Sequence, residues 1–175
     1  MGQRGVSAVF MPSKYVFPGG GVDLGDHAFD RKEHLSVDCA RRLTAACNAD
    51  APAPAALVSA ALRELSEETG LQVERARLQF VFRAITPPGR SRRFDARFFL
   101  LDAKAISGPN DDFSRASGEL AHLHWIGLSA ARSLDLPFIT EIVLAEVGAL
   151  LAGKTQPGVP FFDNSSDVPT FRRIV

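Results

Sequence analysis

Three glutamates cluster in one segment of the chain: Glu64, Glu67 and Glu68. An α-helix turns about 100° per residue, so these carboxylates fall on one helix face. Such carboxylates repel one another unless a cation joins them, and Mg²⁺ prefers oxygen ligands of this kind. Arg63 lies four residues before Glu67, where it can pair with that side chain and fix its orientation. The spacing therefore indicates a metal site, with a solvated helix face as the alternative.

A glycine turn and the two ends of the helix would position this cluster. Residues 14–17 are predicted to form a strand that runs into Pro18-Gly19-Gly20-Gly21. The helix is predicted to begin near Pro52 and Pro54, because proline fits the first helical turn, and to end at Gly70. Its apolar stripe comprises Val58, Leu62 and Leu65. A strand, a turn and this helix would place backbone N–H groups beside carboxylates, which suits a diphosphate bridged to a metal.

The rest of the chain alternates between predicted helices and strands. Strands are predicted at residues 78–86, 93–102 and 119–126, which are rich in apolar and aromatic residues. Helices are predicted at residues 36–48 and 138–151. The inward side of the first of these helices would comprise Val37, Ala40, Leu43 and Cys47. This alternation predicts an α/β sandwich, against which the aromatic tail after Pro157 packs, unless it packs on a partner.

Length and composition limit the kind of protein further. The 175 residues, 46% of them hydrophobic, suit one domain spanning residues 1–175. Twenty basic residues balance twenty acidic ones, so we expect no nucleic-acid or membrane partner. No apolar run approaches the roughly 20 residues that span a bilayer, and no signal peptide is recognisable, so a cytoplasmic location is expected. Cys39 and Cys47 would lie roughly 12 Å apart along a helix, too far for a disulfide.

The two halves of this pattern resemble the signature of the Nudix hydrolase family. That signature is Gly, five residues, Glu, seven residues, Arg-Glu, an aliphatic residue, any residue, Glu-Glu, any residue, Gly and an aliphatic residue. The second half is complete here and comprises Arg63, Glu64, Leu65, Glu67, Glu68, Gly70 and Leu71. In the first half, Gly20 opens the motif and Asp26 stands where the family has glutamate.

A long insertion separates the two halves. Between Asp26 and Arg63 lie 36 residues where the family has seven, which implies about 29 inserted residues and a helical insertion at 27–55. This is similar to a subgroup that includes the peroxisomal coenzyme A diphosphatases and their bacterial relatives. Thr86-Pro87-Pro88-Gly89 and the following Arg93-Phe94-Asp95-Ala96-Arg97 also resemble that subgroup. The resemblance covers about residues 11–150 and leaves 154–175 as a C-terminal tail.

The resemblance also implies a fold, a Nudix-type α/β/α sandwich with a mixed sheet. Family members have an apolar strand ahead of the segment that corresponds to residues 1–5. The resemblance therefore predicts that this first strand is missing here, wholly or in part. Either the sequence is a shortened form of a longer chain, or the sheet is completed in another way, by the C-terminal tail or by the second subunit of a homodimer.

Roles follow from the resemblance, residue by residue. Glu64, Glu67 and Glu68 are implied to bind Mg²⁺, or Mn²⁺ in its place, and Arg63 to orient them. Asp26 is expected to be a further metal contact or a support. Glu119 is expected to be a further metal ligand or the base, with an ordinary exposed loop glutamate as the alternative. Gly19 and Gly20 are expected to shape the turn beside the phosphates. Arg93 and Arg97 are expected to contact substrate phosphate or to pair with Asp95, and His122 and His124 to be surface or structural residues.

The implied activity is the cleavage of the diphosphate bond in a nucleoside diphosphate linked to another moiety. Coenzyme A or its thioesters are the substrate class that the subgroup suggests, and ADP-ribose and reduced dinucleotides stay open. Two other classes also remain: a catalytically silent nucleotide-binding domain and an enzyme that removes RNA caps. The balanced charge counts against the RNA substrate.

Overall fold

The computed structural model of the protein describes residues 1–28, 34–45, 51–73 and 77–175. In these residues the helices are α1 Val37–Ala45, α2 Pro54–Thr69, α3 Leu128–Ala131 and α4 Phe138–Leu151. The strands are β1 Gly2–Arg4, β2 Tyr15–Val16, β3 Gln72–Val73, β4 Gln79–Ile85, β5 Asp95–Leu100, β6 Ile106–Ser107, β7 Leu120–Ala121, β8 Val159–Asp163 and β9 Thr170–Ile174. Short 3₁₀ helices occupy Leu24–Ala28 and Ala103–Ala105. The mixed α/β class predicted from the alternating pattern is confirmed.

The largest sheet has four strands in the order β5-β4-β8-β9. β4 pairs antiparallel with β5 and parallel with β8, and β8 pairs antiparallel with β9. Phe80 and Phe161 pack with Val58 of α2, whereas Phe82 packs with Val143 of α4. In a regular strand Phe80 and Phe82 would share a face, but the pairing of β4 with β5 shifts register between them, which places them on opposite faces. The sheet therefore carries α1 and α2 on one face and α4 on the other.

Helix α2 begins and ends where the sequence predicts. Pro54 lies in its first turn, where the missing N–H is not needed. Gly70 follows the last residue with φ 76°, and its N–H donates to the Ser66 carbonyl oxygen over 2.8 Å. A Cβ atom at Gly70 would also lie 2.9 Å from the Arg115 Cβ, so a larger residue would disturb this end. The helix that carries the glutamates is thus fixed at both ends.

Two predictions about the elements are wrong in part. Val37 was expected on the inward side of the first helix, but it is 89% exposed at the first residue of α1, and Cys39 and Leu43 form the buried side. Residues 119–126 were expected to form one strand, but only Leu120–Ala121 does so. His122 has a φ of 51°, a left-handed conformation that ends the strand. The expected inward position of Cys47 lies outside the described residues.

A second, smaller sheet has the order β2-β1-β7, so the segment Gly2–Arg4 is its central strand. The C-terminal tail packs on the body, as expected, because it supplies β8 and β9 to the larger sheet. Helix α1 lies within the expected insertion, and the prolines at its far end lead into α2. None of the described helices is long and apolar enough to span a bilayer.

Candidate metal and phosphate site

Arg63 is the centre of a polar network between α2 and the glycine turn. Its Nε and Nη2 donate to the two oxygens of Asp26 over 3.2 and 3.1 Å. Its Nη1 donates to Glu64 over 2.9 Å and to Glu67 over 3.1 Å. Nη2 also donates to the Gly21 carbonyl oxygen over 2.9 Å. These five hydrogen bonds use all five N–H groups of the guanidinium. Arg63 therefore serves to hold the site together and has no donor left for a ligand.

Asp26 is the buried end of this network, with only 2% of its surface exposed. One of its oxygens also accepts the Asp23 backbone N–H over 2.8 Å, and Ser59 on α2 donates to it as well. Burial by itself would raise the pKa of Asp26, but the hydrogen bonds and charge of Arg63 hold that pKa below its ordinary value. Of the two roles expected for Asp26, metal contact or support, the described contacts match support.

Glu68 is buried beneath the glycine turn, also with 2% of its surface exposed. It accepts the Gly19 backbone N–H over 2.7 Å. Burial raises the pKa of Glu68 to about 7, and the charges of Glu119 and Glu64 act in the same direction. The pKa of Glu64 is raised as well, again chiefly by burial. The negative charges of these carboxylates therefore oppose one another, although Arg63 pairs with Glu64 over 2.9 Å.

Glu119 belongs to this cluster although it is far away in sequence. The segment before it is held on the end of α2, where the Ser117 N–H donates to the Glu67 carbonyl oxygen over 2.8 Å. Glu119 forms an ion pair with Arg4, with 3.6 Å between Oε1 and Nη2. Its charge raises the pKa of both Glu64 and Glu68. The structure thus brings together the glutamates that the sequence singled out and adds Arg4, which no sequence pattern had indicated.

The donor set consists of carboxylate oxygens, which suit a hard divalent cation such as Mg²⁺. Within the described ranges, no group of three or more His, Cys, Asp and Glu side chains is arranged to hold a metal ion. Glu64 and Glu67 each direct an oxygen at Arg63. The chemistry of the donors fits a metal, whereas three of them converging on one point would require a rotation of these two side chains.

The arginines of the β4–β5 hairpin form contacts outside the carboxylate cluster. Arg97 is buried and shares Asp95 with Arg83, which holds both oxygens of that carboxylate over 2.7 Å. This matches the expected pairing of Arg97 with Asp95. Arg93 is exposed and donates to the carbonyl oxygens of Thr86 and Ser165. Neither of these arrangements involves the glutamates of α2.

Of the two histidines, His122 provides the turn after β7, and His124 packs edge-on against Tyr15 with 5.9 Å between ring centroids. Both positions agree with the surface or structural role expected for them. Comparisons with protein-family models, with curated proteins and with solved structures gave no match.

Proposed function

We propose that this protein is a Mg²⁺-dependent hydrolase of the Nudix type, which cleaves the diphosphate bond of a nucleoside diphosphate linked to another moiety. The observation that carries the proposal is the contact between Arg63 and Asp26, at 3.1 and 3.2 Å. The two halves of the motif are separated by 36 residues, yet they meet in space. An insertion that leaves the two halves in contact is consistent with a working site.

The proposal extends to the fold. The four-stranded sheet with helices on both faces supports a Nudix-type α/β/α sandwich, in which α1 belongs to the insertion after the glycine turn. The sheet is completed by the C-terminal tail. This arrangement supports the tail, rather than a second subunit, as the element that replaces the expected first strand.

The residues of the proposed site have separate roles. Glu64, Glu67 and Glu68 would hold the metal, which when bound neutralises phosphate charge and activates water. Arg63 and Asp26 fix the orientation of Glu64 and Glu67, which both contact Arg63. Gly19 and Gly20 allow the turn to approach the carboxylates closely. Glu119 is an exposed carboxylate of the cluster and is the candidate for accepting a proton from water.

The test is product analysis with coenzyme A, acetyl-coenzyme A, ADP-ribose and NADH, in the presence of Mg²⁺ or Mn²⁺. The wild type is compared with Glu67→Gln and Glu68→Gln, which remove a charge and keep the side-chain shape. Glu141→Gln is the matched control, because Glu141 is exposed on α4. We expect cleavage at the diphosphate that is lost in both variants and kept in the control. Metal-dependent cleavage that survives both substitutions would contradict the assignment of the site.

A second candidate function is a nucleotide-binding domain without catalysis. It is favoured by the engagement of Glu64 and Glu67 with Arg63, which leaves no preformed metal group in the described part of the chain. Nucleotide binding without cleavage of any compound in the panel, or of capped RNA added to it, would support this candidate over the hydrolase. Cleavage of capped RNA alone would point to the cap-removing class.

A further inference from the structure

Two arginines face the carboxylate cluster, and they differ in how their donors are used. The Arg63 guanidinium donates five hydrogen bonds. Within the described part of the chain Arg4 has one ion pair, in which 3.6 Å separates its Nη2 from Glu119, beyond hydrogen-bond distance. The Arg4 Nε is buried and has no hydrogen-bond acceptor among the described residues. Arg4 is therefore a cation at the cluster whose donors are not saturated.

The excess of negative charge in the cluster indicates a role for Arg4. Among the described residues, six carboxylates lie in contact with or near the two arginines: Asp23, Asp26, Glu64, Glu67, Glu68 and Glu119. A diphosphate would add further negative charge to a region that is already acidic. A guanidinium binds phosphate oxygens through parallel N–H donors, and Arg63 has none to spare. Arg4 is the described arginine at this site that can supply them.

The backbone holds Arg4 firmly in its place. Strand β1 lies between β2 and β7, and Arg4 is the register partner of Leu120, the residue after Glu119. The Arg4 backbone N–H also donates to the Lys14 carbonyl oxygen over 2.9 Å. Its guanidinium lies 3.6 Å from the Glu119 carboxylate, and its charge lowers the pKa of Glu68. With 23% of the side chain exposed, Arg4 is anchored on a sheet and reachable by a ligand.

We propose that Arg4 binds a phosphate oxygen of the diphosphate substrate at the edge of the carboxylate cluster, beside Glu119. The inference rests on the proposed function, because it names a substrate contact of that same site. The competing explanation is that Arg4 only orients Glu119. The two explanations differ in whether the effect of removing Arg4 depends on the charge of Glu119.

The experiment measures binding of a methylene-bridged analogue of ADP by calorimetry in the presence of Mg²⁺, since the methylene bridge resists cleavage. Arg4→Ala should weaken binding roughly 10- to 100-fold, the range for hydrogen bonds to a charged group. Arg172→Ala is the matched control, because Arg172 makes a similar ion pair with Asp163 at 3.7 Å. Binding by the control should stay within about twofold. If Arg4→Ala lowers the folded fraction, Arg4→Gln carries the test.

The same substitution is then made in a Glu119→Gln background. If Arg4 contacts phosphate, the loss of affinity persists there. Wild-type affinity in the Arg4 variants, or a loss that vanishes with Glu119→Gln, would overturn the inference.

The outcome for the wild type separates the two proposals. Binding of the analogue without cleavage of any substrate would end the hydrolase proposal and still let the affinity of the Arg4 variants decide this inference. A wild type that does not bind the analogue would overturn this inference, whereas the hydrolase proposal is decided by cleavage of the substrate panel.

Discussion

Gly20 and Glu64 approach so closely that a Cβ atom on Gly20 would lie 2.7 Å from the Glu64 Oε2, and still closer to the other carboxylate atoms. The carboxylate of α2 therefore occupies the space that any side chain at position 20 would need. Its neighbour Gly21 has nothing within 4 Å of the same added atom. A glycine at position 20 thus leaves room for the Glu64 carboxylate, whereas no neighbouring atom requires a glycine at position 21.

Replacing Gly20 by alanine should displace the Glu64 side chain. The clash is with the far end of a flexible side chain, so the free energy of unfolding should fall by less than about 1 kcal/mol, below the usual cost of core overpacking. Cleavage by the proposed hydrolase should fall because a metal-holding carboxylate moves. Chemical unfolding and kcat/KM measure the two effects. Gly21→Ala adds the same methyl group one residue later and should change neither quantity. Equal behaviour of the two variants would contradict the importance of the contact between Gly20 and Glu64.

Asp26→Asn should loosen the Arg63 network. It removes the buried charge to which two guanidinium nitrogens donate, so we expect a loss of about 2 kcal/mol or more in the free energy of unfolding. Activity should drop about tenfold or more, as for other residues that orient metal ligands. Asp23→Asn, which alters an exposed carboxylate 3.6 Å from Arg63, should cost about 0–1 kcal/mol. Similar losses for the two variants would show that burial of Asp26 is unimportant.

The raised pKa of Glu68 predicts how stability depends on pH in the absence of divalent cations. Folding raises that pKa from 4.5 to about 7, so the folded state favours the protonated acid. The associated stability is fully present below about pH 4.5 and is lost as the pH rises through 7. Glu68→Gln keeps an oxygen for the Gly19 N–H and carries no charge. It should therefore be more stable than the wild type at pH 8, by about 3 kcal/mol, and equal to it at pH 4.

Thermal unfolding of both proteins between pH 4 and 8 measures this difference. Glu141→Gln, at an exposed position of α4, should leave the wild-type pH profile unchanged. A Glu68→Gln profile parallel to that of the wild type would contradict the burial of a charged carboxylate. Addition of Mg²⁺ should stabilise the wild type more than this variant if Glu68 holds the metal.

Much of the site was predictable because it lies on one helix. The spacing of Glu64, Glu67 and Glu68 and the bounds of α2 depend on local rules, namely helical periodicity, proline at the start and glycine at the end. Arg4 was not predictable, because its position depends on the pairing of β1 with β7 across more than a hundred residues. A single arginine in a short strand has no sequence signature.

The same limit explains the errors in the fold. His122 ends β7 through a left-handed backbone conformation that the alternating residues around it did not indicate. Val37 fitted a helical stripe, yet it stands at the first turn of α1 and points to solvent. Periodicity predicts which residues share a face but not where an element stops.

The contact between Arg83 and Asp95 should contribute to stability rather than to substrate binding. Arg83 is buried, holds both oxygens of Asp95 over 2.7 Å and packs 4.3 Å from the Phe161 ring centroid. Asp95→Asn should therefore lower the free energy of unfolding by about 2 kcal/mol or more, with KM unchanged. Asp111→Asn is an exposed control and should change neither quantity. A change in KM alone would instead assign the hairpin arginines to the substrate.

The parallel pairing of β4 with β8 has a consequence for how the protein acquires its structure. Arg83 of β4 pairs with Phe161 of β8. Strand β4 therefore gains its second neighbouring strand only after a long loop has closed. Pairings between residues so distant in sequence slow folding, since the entropy of loop closure is lost before contacts compensate for it. Until β8 arrives, one edge of β4 has unpaired backbone groups beside apolar side chains. At high protein concentration, partly folded chains would aggregate through this exposed edge.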